Sequence, residues 1–357
     1  MQGKKISILL SSFSSGGTER AMLNLGSALA EKGATIEFLL TKKEGEFLQE
    51  ASQKFKIIDL QLSRTYTLPF KLLRYIIVNR PDAVISNNWK QSTCACLARL
   101  MFPFFKLLVV EHGSPASNPS GVWFFAIVGT VFYRLATKVV GVSTGVVDAI
   151  KQHTYGISEK LIVIYNAINS TGYKVIDPEK KSNTGVQTII TVGRLVPEKN
   201  QALLLNAFAI VIKRVEAQLV LVGVGPLENQ LQKQAETLGV LEHVRFMGFH
   251  PRPNELLSES DLFVLTSDYE GLGNVLVEAL FCGLPIVSTD CPNGPREVLM
   301  NGKYGTLIKV GDPVGLADAM LCALSTQKSP ETQQQGAERF LPNKIADQYL
   351  SVLGFKK

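Results

Sequence analysis

Short apolar runs rich in β-branched residues alternate with helix-like segments along almost the whole chain. In the first half these runs are ISILLSSF, TIEFLLT, FKIIDL, DAVIS, KLLVVE and KVVGVS, and in the second half they are VQTIITVG, QLVLVG, HVRFMG, DLFVLTS and LPIVSTD. Such runs, separated by helices, indicate parallel strands that are covered on both faces. A chain of 357 residues, 46% of them hydrophobic, exceeds one ordinary core and cannot be disordered. The pattern predicts an α/β protein of two doubly wound, Rossmann-like domains.

The domain boundary is predicted near residues 166–186. The sequence there, NAINSTGYKVIDPEKKSNTG, is polar, rich in turn-forming residues and without periodicity. One domain would therefore span residues 1–168 and the other residues 184–340. Ligands of doubly wound sheets bind at the carboxyl ends of the strands, so we expect the functional site in a cleft that the two domains face.

Cysteine usage and the N-terminus bear on the compartment. The five cysteines lie among apolar neighbours and form no CxxC pair, which indicates reduced thiols and no disulfides. The first apolar run follows two lysines but is too short for the core of a signal peptide, so it is interpreted as a buried strand. We therefore expect a cytoplasmic protein.

The net charge of +6 is concentrated in the first half of the chain. Between residues 60 and 110 the single acid is Asp82, whereas the basic side chains are Arg64, Lys71, Arg74, Arg80, Lys90, Arg99 and Lys106. The segment LPFKLLRYIIVNR has two interpretations: a basic amphipathic helix on an anionic membrane surface, or a solvated helix with its apolar stripe in the core. Two nearby apolar runs, LARLMFPFFKLLVV and GVWFFAIVGTVFY, fall short of the ~20 residues of a spanning helix.

The loop after the first strand, SSGGTERAMLNL, contains Gly16 and Gly17 before a helix that Thr18 could cap. Backbone amides at a helix N-terminus bind anions, and glycine lets a phosphate or sugar approach closely. A tight strand-to-helix turn is the alternative. Neither this loop nor GVGPLE, which begins at Gly223, is a GxGxxG dinucleotide fingerprint, and the chain has no GxxxxGK[ST] P-loop.

A second strand-end loop, TVGRLVPEKNQALLL, places Arg194 and Lys199 five residues apart, at a helix that Pro197 helps to begin. A guanidinium and an ammonium beside a helix N-terminus can hold a diphosphate and stabilise charge on a leaving group. The alternative for Arg194 is a surface ion pair with Glu198.

A third loop, SDYEGLGNVLVEALFCG, places Glu270 before a helix and Glu278 within it. We expect this helix to begin near Asn274 and to stop at Gly283. Eight helical residues cover about 12 Å, whereas a retaining glycosidase pair is separated by about 5 Å, so a hydrolytic pair is disfavoured. Two acids this far apart suit hydroxyls at opposite ends of an extended ligand. The apolar surroundings of Glu278 predict burial with a partner rather than a solvated side chain.

A fourth loop, VVEHGSP, places His112 directly after a strand. A lone histidine is more often a structural residue than a catalytic one. Its position at a strand end favours a functional role.

Together these segments resemble the retaining nucleotide-sugar glycosyltransferases of GT-B fold, family 4, which include the group 1 glycosyltransferases of bacterial surface polysaccharide and glycan assembly. The resemblance extends over nearly the whole chain through GGTERAMLNLGSAL, EHG, VSTG, IYNAIN, TVGRLVPEKNQALLLNAF, LVGVGPL, VRFMGF, SDYEGLGNVLVEALFCGLPIVSTDCPNGPREVL and GTLIKVGD. Its most specific part is the combination of Arg-x4-Lys with Glu-x7-Glu. The resemblance implies an acceptor-binding first domain, a nucleotide-sugar-binding second domain, and a final helix in residues 341–357 that packs back on the first.

The resemblance also implies roles for individual residues. Arg194 and Lys199 would bind the donor diphosphate, Glu270 would hold sugar hydroxyls, Glu278 would hold the ribose, and His112 would face the transferring sugar. Gly16 and Gly17 would line the donor and acceptor side. The remaining donor contacts would be Gly223, Leu272, Gly273, Asn274 and Val275. Two positions depart from the family pattern: Ala167 replaces a glycine, and Gly273 replaces a bulkier residue or proline.

The chain has no DxD or HExxH metal motif, which predicts a metal-independent reaction with no cofactor besides the donor. By family likeness, retention would follow a front-face route in which the departing phosphate accepts the proton of the acceptor. We expect a UDP-sugar donor, with UDP-N-acetylhexosamine or UDP-galactose favoured by CPNGPREVL. The acceptor would be a polyprenyl-diphosphate-linked or other saccharide at the cytoplasmic face of an anionic membrane, and no nucleic acid is expected. The rival interpretations are a nucleotide-sugar epimerase and a non-catalytic, membrane-recruiting subunit.

Overall fold

The structure is a computed structural model that describes residues 3–14, 16–62, 67–113, 119–170, 172–173, 185–326 and 329–355. The chain divides into two compact units: Met1–Asn169 with Phe340–Lys357, and Ser170–Arg339. Arg64 and most of the predicted boundary segment lie outside the described residues.

Each strand of the first unit is a short apolar run. The strands are β1 (Lys5–Leu10), β2 (Thr35–Leu40), β3 (Lys56–Asp59), β4 (Ala83–Asn87), β5 (Lys106–Glu111), β6 (Lys138–Gly141) and β7 (Leu161–Val163). They form a parallel sheet in the order β3-β2-β1-β4-β5-β6-β7. Ile8 is fully buried and pairs with Phe38 and Ile85, because helices cover both faces of a doubly wound sheet.

The helices of the first unit connect these strands. They are α1 (Gly17–Glu31), α2 (Leu48–Lys54), α3 (Leu68–Asn79), α4 (Trp89–Met101), α5 (Pro119–Phe132) and α6 (Thr144–His153). The C-terminal helix α14 (Pro342–Val352) belongs to the same unit and packs on α1, where Lys32 and Asp347 form an ion pair of 3.1 Å.

The second unit repeats this design. Its strands are β8 (Gln187–Val192), β9 (Ala217–Val222), β10 (Val244–Phe246), β11 (Leu262–Leu265), β12 (Ile286–Thr289) and β13 (Thr306–Ile308), in the parallel order β10-β9-β8-β11-β12-β13. Its helices are α7 (Gln201–Val211), α8 (Glu228–Thr237), α9 (Pro253–Ser258), α10 (Asn274–Cys282), α11 (Pro295–Val298), α12 (Pro313–Ser325) and α13 (Pro330–Ala337). The core of this unit is formed by β8, β9, β11 and β12 with α7 and α12.

The predicted fold class, two doubly wound parallel sheets, is confirmed. Each of the eleven apolar runs contains a strand, and the structure adds β7 and β13. Both additional strands are three residues long and lie at sheet edges, where a short run carries little periodic signal.

Local predictions at helix ends are confirmed in part. Helix α10 begins at Asn274 and ends before Gly283, whose φ of 77° is left-handed, as the glycine pattern predicts. The prediction that Thr18 caps α1 is wrong, because the cap position is Gly16, which has no side chain. Lys199 ends a 3₁₀ turn, and α7 is capped instead by Asn200, whose side chain accepts from the amide of Leu203.

Two further properties concern the chain as a whole. All five cysteines are free thiols. Among the described residues, every helix is too short or too polar to span a bilayer.

Candidate active site

Lys199 and Glu270 meet at the carboxyl end of the second sheet. The Nζ atom of Lys199 donates to Oε1 of Glu270 at 2.5 Å, although the two residues are 71 positions apart. Glu270 is 7% exposed, and the side chain of Lys199 is 23% exposed. A partly buried ion pair of this kind keeps both side chains in one position, facing the rim of the sheet.

The two loops that carry this pair are joined by further hydrogen bonds. The Thr266 hydroxyl donates to the carbonyl of Lys199 at 3.0 Å, and the Asp268 amide donates to the carbonyl of Glu198 at 2.9 Å. The Asn200 side chain donates to Asp268 at 2.8 Å. The loops after β8 and β11 therefore form one polar unit.

A second layer of side chains holds Glu270 from behind. The Ser267 hydroxyl donates to Oε1 of Glu270 at 2.7 Å, and the hydroxyl of Thr289 donates to the carbonyl of Ser267 at 2.6 Å. The Asn293 amide donates to the carbonyl of Glu270 at 3.2 Å. These contacts restrict both the carboxylate and its backbone, as a preorganised site requires.

Arg194 lies apart from this pair. Its side chain is 70% exposed, and its guanidinium lies 3.2 Å from the carboxylate of Glu198. The surface ion pair considered above as the alternative is therefore present. Exposed pairs of this type are worth at most about 1 kcal/mol, so a stronger anion could displace Glu198.

The glycine at the end of β9 has a packing role. A Cβ atom on Gly223 would lie 2.0 Å from the carbonyl oxygen of Gly193, and the φ of Gly223 is 142°. Gly225 is restricted similarly, since its Cβ would lie 2.3 Å from the carbonyl of Leu195. These glycines let the loops after β8 and β9 touch backbone to backbone.

The N-terminus of α10 is formed by residues that the sequence analysis predicts to contact the donor. Gly273 precedes the helix with a φ of 81°, and no side chain caps it. Asn274 and Val275 form the first turn and are partly exposed, whereas Leu272 is buried. A Cβ on Gly294 would lie 2.3 Å from the carbonyl of Leu272, so the turn after β12 supports this loop closely.

Glu278 lies one turn into α10 and is half-buried rather than buried. It is close enough to Cys282 to contribute, after burial itself, to the raised pKa of that thiol, about 12. The predicted burial of Glu278 is therefore met only in part.

In the first unit, His112 follows the end of β5. Its Nε2 lies 2.9 Å from Oδ1 of Asn87, whose own amide donates to the carbonyl of Leu9 at 3.2 Å. Because Asn87 presents its oxygen, Nε2 carries the proton and Nδ1 is an acceptor. Nδ1 is buried and finds no donor among the described residues. Burial lowers the pKa of His112 to about 4, so the ring is neutral at pH 7.

The neighbouring acid, Glu111, ends β5 and is 5% exposed. Burial raises its pKa to about 8, and the hydrogen bond that the Tyr133 hydroxyl donates at 2.5 Å opposes this rise. Glu111 is therefore mostly protonated at pH 7. It lies behind the strand end and is a buried acid rather than an exposed ligand.

The Gly16-Gly17 loop differs from an open anion cradle. A Cβ on Gly16 would lie 2.2 Å from Oε2 of Glu19, so that carboxylate occupies the space that the missing side chain leaves. A carboxylate there favours a sugar hydroxyl over a phosphate. Ala167, the departure from the family pattern, is buried without positive φ, and its carbonyl accepts from Asn24.

In the part of the chain that the structure describes, no group of three or more His, Cys, Asp or Glu residues is arranged to hold a metal ion.

Two family models match the chain over almost its whole length. The model for Glycosyltransferase Family 4 matches residues 15–171, and the model for Glycosyl transferases group 1 matches residues 173–340. The chain belongs to the group 1 glycosyltransferases. The Lys199–Glu270 pair and α10 lie within the group 1 match, whereas His112 and the Gly16-Gly17 loop lie within the other.

Similar proteins extend this assignment. This glycosyltransferase is 26% identical, over 348 residues and 91% of each chain, to the N-acetylgalactosamine-N,N'-diacetylbacillosaminyl-diphospho-undecaprenol 4-alpha-N-acetylgalactosaminyltransferase of Campylobacter jejuni. It is 27% identical, over 96% of each chain, to the lipopolysaccharide core biosynthesis glycosyltransferase LpsE of Rhizobium meliloti. The crystal structure of Anabaena Alr3699/HepE in complex with UDP and glucose matches with a TM-score of 0.83 and 24% identity, over 98% of this chain and 99% of that one. That likeness shows the GT-B fold.

The structure brings together some of the residues selected from the sequence. Lys199, Glu270 and the start of α10 lie on adjoining loops of the second sheet, whereas Arg194 pairs outward with Glu198. Sequence reasoning missed the supporting residues Ser267 and Asn293. The Asn-Gly dipeptide at 293 and 294 was an available signal, because both residues have positive φ, as tight turns require.

Proposed function

We propose that this glycosyltransferase moves a sugar from a UDP-sugar to a lipid-diphosphate-linked saccharide, with retention of configuration and without a metal ion. The observation that carries the proposal is the Lys199–Glu270 pair held beside the N-terminus of α10. A cation, a hydroxyl-binding carboxylate and a helix N-terminus together suit the diphosphate and the sugar of one extended donor.

The donor is held by the second unit. Lys199 and the amides at the start of α10, from Leu272 to Val275, bind the diphosphate, and Glu270 accepts hydrogen bonds from sugar hydroxyls. Glu278, farther along α10, accepts from the ribose. Arg194 leaves its exposed pair with Glu198 to reach the phosphate, an exchange that costs little because the pair is solvated.

The chemical step follows from this arrangement. The bond between the anomeric carbon and the phosphate oxygen breaks while the acceptor oxygen forms a bond to the same face of that carbon. The departing phosphate oxygen takes the acceptor proton. Lys199 stabilises the charge that develops on UDP, so no side chain has to act as the general base.

His112 contributes an acceptor atom to the transferring sugar. Its Nε2 proton is committed to Asn87, so Nδ1 accepts from a sugar hydroxyl and cannot donate. Gly16 and Gly17 line the donor and acceptor side, where the carboxylate of Glu19 also suits hydroxyls. Gly223 remains a donor-side residue in this proposal, in addition to its packing role.

The acceptor class is supported by the C. jejuni relative, whose name places its reaction on a diphospho-undecaprenol saccharide. UDP-N-acetylhexosamine or UDP-galactose is the favoured donor. The reaction is proposed for the cytoplasmic face of the membrane, with the protein bound peripherally.

The test is UDP release from a panel of UDP-sugars in EDTA, with and without a lipid-diphosphate saccharide. We expect acceptor-dependent release from one donor, an α-to-α product, and a loss of at least about 100-fold in kcat/KM for Lys199→Ala, with Lys213→Ala as an exposed control. Full activity of Lys199→Ala, an inverted product or a strict need for a divalent cation would contradict the proposal. Interconversion of donors without UDP release would indicate an epimerase instead.

A further inference from the structure

Helix α3 has apolar side chains on its outer face. The inner face is formed by Leu68, Leu72, Tyr75 and Ile76, which are buried at helical spacing. On the outer side Phe70 is 71% exposed and Val78 is 72% exposed. A surface helix of a globular domain normally places polar residues there, so this face is unusual.

The C-terminal end of α4 continues this apolar surface. Helix α4 packs beside α3, and its last residues, Leu100 and Met101, are mostly exposed. Phe104 is 80% exposed, and its ring centroid lies 5.1 Å from that of Phe102. We call the exposed side chains of these two helices and their ends the α3–α4 face. It consists of Phe70, Arg74, Ile77, Val78, Arg80, Leu100, Met101, Phe104 and Lys106.

The two parts of the face are adjacent in space. Lys106 begins β5 next to Ala83 of β4, and its amide donates to the carbonyl of Asp82 at 2.9 Å. Arg80, which ends α3, is two residues before Asp82. Arg80, Leu100, Met101, Phe104 and Lys106 therefore lie near the end of the sheet at which β4 and β5 begin, whereas Phe70 lies at the opposite end of α3.

The charge of the α3–α4 face is positive and uncompensated. Arg74, Arg80 and Lys106 are exposed, and none has a carboxylate within 4 Å among the described residues. The acid in this region, Asp82, is already paired with Lys4 at 2.6 Å. Clustered cations without counter-ions favour binding of an anionic surface.

We propose that the α3–α4 face docks on the surface of an anionic lipid bilayer. Protruding apolar side chains at the level of basic ones match the requirements of an interfacial anchor, in which the apolar groups enter the headgroup region and the cations contact lipid phosphates. A second copy of the chain fits less well, because an isologous contact would bring two positive faces together.

The test uses vesicle flotation without sugar substrates. Wild-type protein is expected to float with vesicles of phosphatidylglycerol and phosphatidylcholine and to remain unbound with phosphatidylcholine alone. Arg74→Glu/Arg80→Glu/Lys106→Glu should reduce binding at least about 100-fold, since each basic residue contributes about fivefold. Met101→Ser/Phe104→Ser should also reduce it, by about tenfold or more.

Matched controls lie in the second unit. The charge control is Lys213→Glu/Lys233→Glu/Arg245→Glu, which reverses three exposed basic residues, and the apolar control is Leu241→Ser/Val314→Ser. Both controls should bind vesicles like wild type. All the substituted side chains are exposed, so unchanged unfolding midpoints are expected to verify the fold of every variant.

Three results would overturn the proposal. They are absence of wild-type flotation, equal loss in face and control variants, and a concentration-dependent dimer that the face variants abolish while vesicle binding persists. Turnover of a short-chain acceptor by the face variants separates this proposal from the transferase proposal. If every protein is inactive but the vesicle pattern holds, only the proposed reaction fails.

Discussion

Glu111 in the first unit and Glu270 in the second allow a direct comparison of the two halves of the molecule. Each lies at or just beyond the carboxyl end of a strand, and each is less than a tenth exposed. Their partners differ: Glu111 accepts from the hydroxyl of Tyr133, whereas Glu270 accepts from the ammonium of Lys199. Burial keeps Glu111 in its neutral form although the hydrogen bond from Tyr133 opposes this, whereas Glu270 forms an ion pair with Lys199.

This difference shows that position at a strand end does not decide what a carboxyl group does. Burial raises the pKa of Glu111 to about 8, which makes it a neutral structural acid at pH 7. Glu270 is instead one half of an ion pair with Lys199 at the carboxyl end of the second sheet. The same substitution should therefore affect activity strongly at Glu270 and little at Glu111.

The largest contrast is expected in activity. Glu270→Gln removes the carboxylate that holds Lys199 and that we propose holds the sugar, so kcat/KM should fall at least about 100-fold. Glu111→Gln replaces a protonated acid by a neutral group of similar shape, so kcat/KM should stay within about threefold. Steady-state UDP release measures both. A comparable loss in the two variants would end the distinction between structural and functional acids.

The next contrast concerns the partner of Glu111. Tyr133→Phe leaves a buried carboxyl without its donor, so the free energy of unfolding should fall by about 1–3 kcal/mol. Tyr155→Phe is the control, because Tyr155 is 76% exposed and its hydroxyl remains solvated when folded. Urea unfolding at pH 7 measures both, and equal stability of the two variants would show that the Tyr133–Glu111 bond contributes nothing.

A pH series examines the protonation of Glu111 itself. Below its ordinary pKa of 4.5 the carboxyl is protonated in the folded and unfolded states alike. Between pH 4.5 and about 8 only the unfolded state releases the proton. The free energy of unfolding therefore falls, by up to about 1.4 kcal/mol per pH unit, as the pH rises through this window. Urea unfolding should show Glu111→Gln gaining stability relative to wild type across this window. A constant difference would mean that Glu111 is ionised in the folded protein.

The smallest effect is expected behind Glu270. Ser267→Ala removes one neutral hydrogen bond to its carboxylate, so kcat/KM should fall about three- to tenfold. Ser288→Ala is the matched control, since the hydroxyl of Ser288 is equally buried but bonds the carbonyl of Thr289. Ser267→Thr should restore part of the loss. If the two alanine variants behave alike, Ser267 supports the fold rather than the site.

Much of the second unit was predictable because its signals are local. Gly273 and Gly283 bound α10, and both have left-handed φ values that glycine adopts without strain. The loop at Gly16 was less predictable, although Glu19 is only three residues away. One helical turn brings that carboxylate back over the helix start, where it fills the space expected for an anion.

Pairing across the chain was beyond prediction from one sequence. Arg194 and Lys199 looked equivalent as cations near a helix start, yet only Lys199 faces Glu270. Lys199 ends the 3₁₀ turn of Pro197–Lys199, whose loop is hydrogen-bonded to the loop of Glu270, whereas Arg194 precedes that turn. The Asn-Gly dipeptide indicated a turn at Asn293 but not the contact with Glu270, which depends on where the turn after β12 lies in the fold.

The sequence by itself determined the two parallel sheets, the bounds of α10 and the residue types at the strand ends. Each of these depends on local periodicity or on the conformational freedom of glycine. Only the tertiary structure decided which side chains meet: Lys199 with Glu270 across 71 residues, His112 with Asn87 across 25, and Tyr133 with Glu111 across 22. Parallel strands bring distant loops to one edge, and the protonation and function of each group follow from the neighbour it finds there.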